Sequence, residues 1–162
     1  MIRRARREDL PTAEDLLAEL DRLQGPWRIF RPRELSGEET LARFEAAIDD
    51  PDALPVVAEV DGLAVAIGLG SIHRPSSISD DRSLEITSFV VRPDHRGLGI
   101  GRAMVAVMVE FARGRGVDQL DLRVFAGNQE AAAFWSRLGF RPRMTQMVAS
   151  VGEVRIEGPT QG

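Results

Sequence analysis

Leu10, Leu16, Leu17, Leu20 and Leu23 recur at helical spacing, with acidic residues in the early turns, and predict a first helix from about Glu8 to Leu23. Gln24-Gly25-Pro26-Trp27 stops it. Ile2 to Ala5, just before it, reads as a short strand. A second helix is predicted from Ser36, which forms a capping box with Glu39 and is followed by an apolar face of Leu41, Phe44 and Ile48. The period then changes to that of strands. Leu54–Val60 and Leu63–Ile72 are β-rich runs joined by Asp61-Gly62, a two-residue hairpin signal. The polar stretch Arg74–Arg82 predicts an exposed loop, and Leu84–Val91 a third long strand. Ile100–Arg115 is helical, with Met104, Val107, Met108 and Phe111 on one face and Gly114 and Gly116 at its end. Leu120–Phe125 alternates as a half-buried strand does, Asn128–Leu138 reads as a short helix closed by Gly139, and Phe140–Arg143 and Met147–Val151 as two final strands. This order of elements predicts one domain over residues 1–162, a mixed sheet flanked by helices, with a frayed tail from about residue 158.

Composition narrows the chemistry. The chain has no Cys, so no disulfide, no thiolate metal ligand and no cysteine-bound acyl group is available. All 21 basic side chains are Arg, which removes the phosphate lysine of nucleotide-binding loops and all Schiff-base chemistry. There is no Tyr to act as a phenolic acid. A net charge of −4 argues against nucleic acid and is mildly compatible with a cationic substrate. No apolar run approaches the ~18–20 residues that span a bilayer. The basic start Met1–Arg7 leads into Glu8 and Asp9 rather than an apolar stretch, so a cytoplasmic location is expected.

The segment Arg92-Pro93-Asp94-His95-Arg96-Gly97-Leu98-Gly99-Ile100-Gly101-Arg102 joins a strand to a helix. A glycine-rich turn at a helix N-terminus is an anion site, because unpaired N–H groups point outward and glycines let a diphosphate approach the backbone. The helix dipole adds roughly 0.3–1 kcal/mol per favourable charge. The spacing Gly97-x-Gly99-x-Gly101 is neither the dinucleotide pattern nor a P-loop, and a glycine triplet alone equally suits a flexible turn.

With its context, Arg96-x-x-Gly99-x-Gly101 resembles the acyl-CoA signature of the GCN5-related N-acetyltransferases, the GNAT superfamily. The block Asn128–Phe140, an Asn, a short helix and Leu138-Gly139-Phe140, resembles that family's following motif at the usual separation. The resemblance covers nearly the whole chain. It implies an α/β (α+β) acyl-CoA N-acyltransferase fold with a central mixed, mostly antiparallel sheet. It also implies acetyl-CoA as co-substrate, an amine acceptor as partner, no metal, and, by analogy alone, a homodimer. Backbone N–H groups of Arg96, Gly97, Leu98, Gly99, Ile100 and Gly101, with Arg102, would cradle the pyrophosphate. The strand Phe89-Val90-Val91 would hold the pantetheine arm, with the Phe89 N–H as oxyanion donor. Asn128 would reach the pantetheine or the acyl end, and Phe134 and Trp135 would also contact the cofactor.

Exposing the lone pair of an amine of pKa near 10.4 at pH 7 costs about 4–5 kcal/mol, so a general base should help. A thiolate of pKa ~8.5 needs an acid less, by about 2 kcal/mol. This matters because many family members place a Tyr acid where this chain has Trp135. Water protonates the thiolate, Ser136 helps, or the domain binds acyl-CoA without turnover; the arithmetic favours water. Glu85, eleven residues before Arg96, has the spacing of the catalytic Glu in the histone acetyltransferase branch, or else braces the sheet. By strand alternation Glu85 and Thr87 should share the face of Phe89 and Val91. His73 lines the acceptor pocket or lies on the surface, and His95 is loop structure or a rim contact. Trp27 and Phe30 wall the acceptor site or belong to the core. The arginines around them suit an anionic acceptor, whereas Asp80-Asp81 suits a cationic one.

Overall fold

The computed structural model describes residues 1–27, 37–73, 82–149 and 151–154. Phe30, Ser36, Asp80, Asp81 and the expected tail fall outside these residues. Five strands form one sheet in the order β1-β2-β3-β4-β5: β1 (Ile2–Arg4), β2 (Ala53–Val60), β3 (Leu63–His73), β4 (Ser83–Val91) and β5 (Gln119–Leu122). The first four are antiparallel neighbours; β4 and β5 run parallel. A parallel pair needs a crossover, and α3 (Ile100–Gly114) supplies it. The remaining helices are α1 (Leu10–Gln24), α2 (Gly37–Asp49) and α4 (Gln129–Arg137). The fold is thus the mixed α/β class that the sequence implies. Among the described residues no helix is long and apolar enough to cross a membrane.

Two apolar layers sandwich the sheet. On one face, Leu16 and Leu17 of α1 and Phe44 of α2 pack against Val57, Ile67, Leu69 and Val90. On the other, Met104 and Met108 of α3 and Trp135 of α4 pack against Val56, Ala66, Leu84 and Ile86. The β2–β3 turn has positive φ at both Asp61 (51°) and Gly62 (78°), the geometry that matches hairpin twist. Arg4 donates to the carbonyls of Ala47, Ile48 and Asp50 at 2.8–3.1 Å, closing carbonyls that the end of α2 leaves unpaired.

Three expectations need correction. The segments 140–143 and 147–149 pair with no strand among the described residues, and Met144, Met147 and Val151 are about nine-tenths exposed. Their β-like composition meets no ladder partner, and composition alone does not make a strand. Second, β5 ends at Leu122 rather than Phe125, because its pairing with β4 stops there. Third, the alternation along β4 is broken. Ser88 pairs with Leu69 but Ile86 with Gly70, leaving Thr87 as an extra residue. A bulge of this kind reverses the facing of everything beyond it. Leu84, Ile86, Phe89 and Val91 therefore share the α3/α4 face. Glu85, whose register partner Ser71 continues the row of Ile67 and Leu69, lies on the α1/α2 face with Val90. Glu85 does not share the face of Phe89.

Candidate active site

The bulge sits where β4 and β5 part. Their ladder runs from Ser83/Gln119 to Ile86/Leu122, while β4 continues to Val91 without a partner on that side among the described residues. The polarity of the exposed edge follows from two hydrogen bonds. Arg92 N–H donates to Val65 of β3 at 2.9 Å, and Arg96 Nε donates to the Val91 carbonyl at 3.1 Å. Backbone groups alternate along a strand, so those of Val90 face β3 and those of Phe89 and Val91 face the gap. A cleft of about 90 Å³ opens there, lined by Thr87, Phe89, Arg123, Phe125, Asn128 and Trp135, with Leu20 and Gln24 of α1 across from them.

Beyond β4 the chain makes a short 3-10 turn, Pro93–His95, and enters the glycine segment. Gly97 (φ 76°) and Gly99 (φ 82°) take the left-handed conformation that glycine alone adopts without strain, with open space above both. Gly99 precedes the first turn of α3. Gly101 is small for another reason: a Cβ there would meet Phe134 Cζ at 3.0 Å. Leu98 is exposed, Ile100 packs on the core as the first residue of α3, and Arg102 projects from its first turn. Arg96 shapes this loop through its bond to Val91 and lies 3.6 Å from Glu130 of α4. The dipole and unpaired N–H groups of a fifteen-residue helix thus face open space beside the strand gap.

Phe89, Phe134, Trp135 and Phe140 form one aromatic cluster with ring centroids 4.9–6.0 Å apart. Trp135 is 7% exposed, and Ser136, one position on, is exposed and outside the cleft lining. Asn128 caps α4, its Oδ1 accepting from Ala131 N–H at 3.0 Å. Trp27 ends a 3-10 turn after α1 and packs so closely on Gly127 that a Cβ there would lie 2.3 Å from Trp27 Cδ1. This puts an aromatic ring from the first helical segment against the β5–α4 loop.

Glu85 is nearly buried, and both of its oxygens are engaged. Oε2 contacts His73 Nε2, and Oε1 accepts from Arg123 Nη2 at 2.8 Å. His73 ends β3 opposite Ser83, and Arg123 follows Asp121, the register partner of Glu85, so both are diagonal neighbours of Glu85. Arg123 is the residue that sequence reasoning missed. It alternates with Asp121 on the polar side of the β5 run, but only the register with β4 reveals its partner. His95 is occupied differently: its Nδ1 bonds Asp94 Oδ1 at 2.8 Å, and that bond holds the Asp94 carboxyl below its ordinary range.

The parted strands and the glycine loop at a helix start thus lie next to one another. The sequence profile of the acetyltransferase (GNAT) family matches residues 17–140, and the chain belongs to that family. An uncharacterised N-acetyltransferase of Methanocaldococcus jannaschii is 36% identical over 87 residues, 54% of this chain and 38% of that protein. The chain therefore spans well under two thirds of that relative's length. Among solved structures, a Bacillus halodurans protein determined as a tetramutant superimposes with a TM-score of 0.79 at 22% identity, covering 93% of this chain and 99% of its own. A predicted acetyltransferase with acetyl-CoA from Clostridium acetobutylicum gives 0.74 at 17% identity, covering 95% and 97%. At such identities these two likenesses establish the fold.

Proposed function

We propose that this chain is an N-acetyltransferase that moves the acetyl group of acetyl-CoA directly to a primary amine of a small molecule or peptide. The observation that carries the reading is the break between β4 and β5, which leaves Phe89 N–H aimed into a cleft beside the glycine loop. An N–H held there can stabilise charge developing on a thioester oxygen, and one such donor typically contributes about 3 kcal/mol. Backbone donors from Arg96 to Gly101 hold the diphosphate. Glu85 serves as the base for the amine. Trp27 walls the acceptor side, and water protonates the departing thiolate, since Ser136 is not among the residues lining the cleft and Trp135 has no ionisable group. With no Cys in the chain, transfer is direct.

One observation favours a second reading, an acyl-CoA-binding module without turnover: buried Trp135 stands where many relatives place a Tyr acid. A thiol-release screen with acetyl-CoA and a panel of polyamines, amino acids, aminoglycosides and peptide N-termini separates the two. Amine-dependent release of thiol supports transfer. Saturable acetyl-CoA binding with no release on any amine supports the module.

A further inference from the structure

An ammonium acceptor that becomes an amide loses two protons. The N–C bond forms, the C–S bond breaks with its electron pair going to sulfur, and at most one of the two protons returns to the thiolate. A buried base that takes up one of these protons must then be emptied before the next turnover. The surroundings of Glu85 bear on how this happens. Its side chain is 11% exposed, and among the described residues its oxygens contact His73 and Arg123. A guanidinium stays protonated in proteins and cannot carry a proton away; an imidazole has two nitrogens and can accept at one and release at the other. The His73 side chain is 58% exposed. It sits on the α1/α2 face of β3, diagonal to Glu85 and outside the aromatic cluster. Among the described residues, Asp121, the exposed register partner of Glu85 on β5, is a further charged group facing this pair from a neighbouring strand.

We propose that His73 is the proton outlet of the site. The proton that leaves the amine is taken up by Glu85, passes along the Glu85–His73 contact to Nε2, and is lost to solvent from the exposed ring. Arg123 fixes the other carboxylate oxygen and so aims Oε2 at the imidazole. His73 is in this sense a positioning and relay residue rather than one that touches the substrate. The inference rests on the acyl-transfer reading and assigns it a second proton-handling group.

The test uses the full chain with acetyl-CoA and the best amine from the thiol-release panel. His73→Ala is expected to lower kcat at least about tenfold, to leave the KM for acetyl-CoA within about twofold, and to recover part of its rate when free imidazole is added. His73→Gln, which keeps a hydrogen bond to Glu85 but cannot relay a proton, should be as slow as His73→Ala. Wild-type kcat in either variant overturns the proposal while leaving acyl transfer intact. Absence of turnover by the wild type on every amine overturns both. Should His73→Ala not fold, His73→Gln and one spectroscopic measurement still decide. The ring-nitrogen resonances of His73 should move in Glu85→Gln; unchanged resonances would show that the contact is not formed in solution and overturn the relay.

Discussion

At the scale of single residues, the proposed chemistry centres on Glu85. It is one of the few buried charged side chains among the described residues, it is held from two sides, and it lies on the face of the sheet opposite the aromatic cluster. Glu85→Gln preserves volume and one hydrogen-bond acceptor for Arg123 while removing the base. It should reduce kcat by about 10²–10⁴ and flatten the pH–rate profile, with acetyl-CoA affinity unchanged. Wild-type kinetics would leave Glu85 a sheet-bracing residue. Gly127 offers a separate probe of the acceptor side. A Cβ there overlaps Trp27 at 2.3 Å, and an overlap with the body of a ring cannot be relieved by a small rotation. Gly127→Ala should expel Trp27, one of two tryptophans, and shift the intrinsic emission to longer wavelength. If Trp27 walls the acceptor pocket, KM for the amine rises severalfold while KM for acetyl-CoA stays put. The opposite pattern would place Trp27 on the cofactor side.

At the scale of elements, the strands are joined by ion pairs as well as ladders, and this makes a prediction about acid. Arg3 of β1 donates to both oxygens of Asp9 at 2.7 Å and also bonds Glu59 of β2. Asp9 in turn accepts from Arg6 N–H at 2.6 Å just before α1. The Arg3 hydrogen bond is the largest cause that holds the Asp9 carboxyl below its ordinary pKa, outweighing burial, which raises it. A carboxyl whose folded pKa is depressed contributes stability that is fully present above its unfolded pKa of about 3.9 and is lost as pH falls through the folded value. Arg3 is shifted upward, so its contribution is intact throughout that range. Arg3→Gln should cost roughly 2–3 kcal/mol near neutrality, because it strands a nearly buried carboxylate. Below about pH 3 the gap between variant and wild type should narrow, as read from denaturant unfolding at several pH values. A gap independent of pH would mean that Arg3 acts by packing alone.

The same scale shows what could be read along the chain and what could not. Leu16, Leu17, Phe44, Met104 and Met108 lie in the core because each belongs to a local period, and a period needs no knowledge of partners. The glycine segment was legible for a similar reason: Gly97 and Gly99 mark local backbone geometry. The bulge at Thr87 is a property of two strands, and nothing within Leu84–Val91 announces it. Alternation therefore put Glu85 on the wrong face although the residue itself was singled out. Arg123 was missed on the same ground, since its partner is set by the register of β5 against β4. The expected strands at 140–143 and 147–151 had suitable composition, but composition carries no information about whether an edge receives them.

For the whole molecule, the two core layers converge on the break in the sheet, so binding at the break should be felt by the entire fold. Acetyl-CoA that binds only the folded chain stabilises it by RT ln(1 + [L]/Kd), about 2.7 kcal/mol at a hundredfold excess over Kd. For a chain of this length that corresponds to a rise of roughly 5–10 °C in thermal midpoint. The diphosphate, if it sits on the N-terminus of α3, should supply a distinct part of the shift, so pantetheine alone should give less than CoA. Gly99→Val forces a β-branched residue to φ 82° at the start of α3. Its shift, measured against its own ligand-free midpoint, should vanish for CoA. Larger shifts with ATP or NAD than with CoA would instead make the glycine loop a nucleotide site. The midpoint thus ties the segment most legible in the sequence to the strand break that only the folded sheet displays.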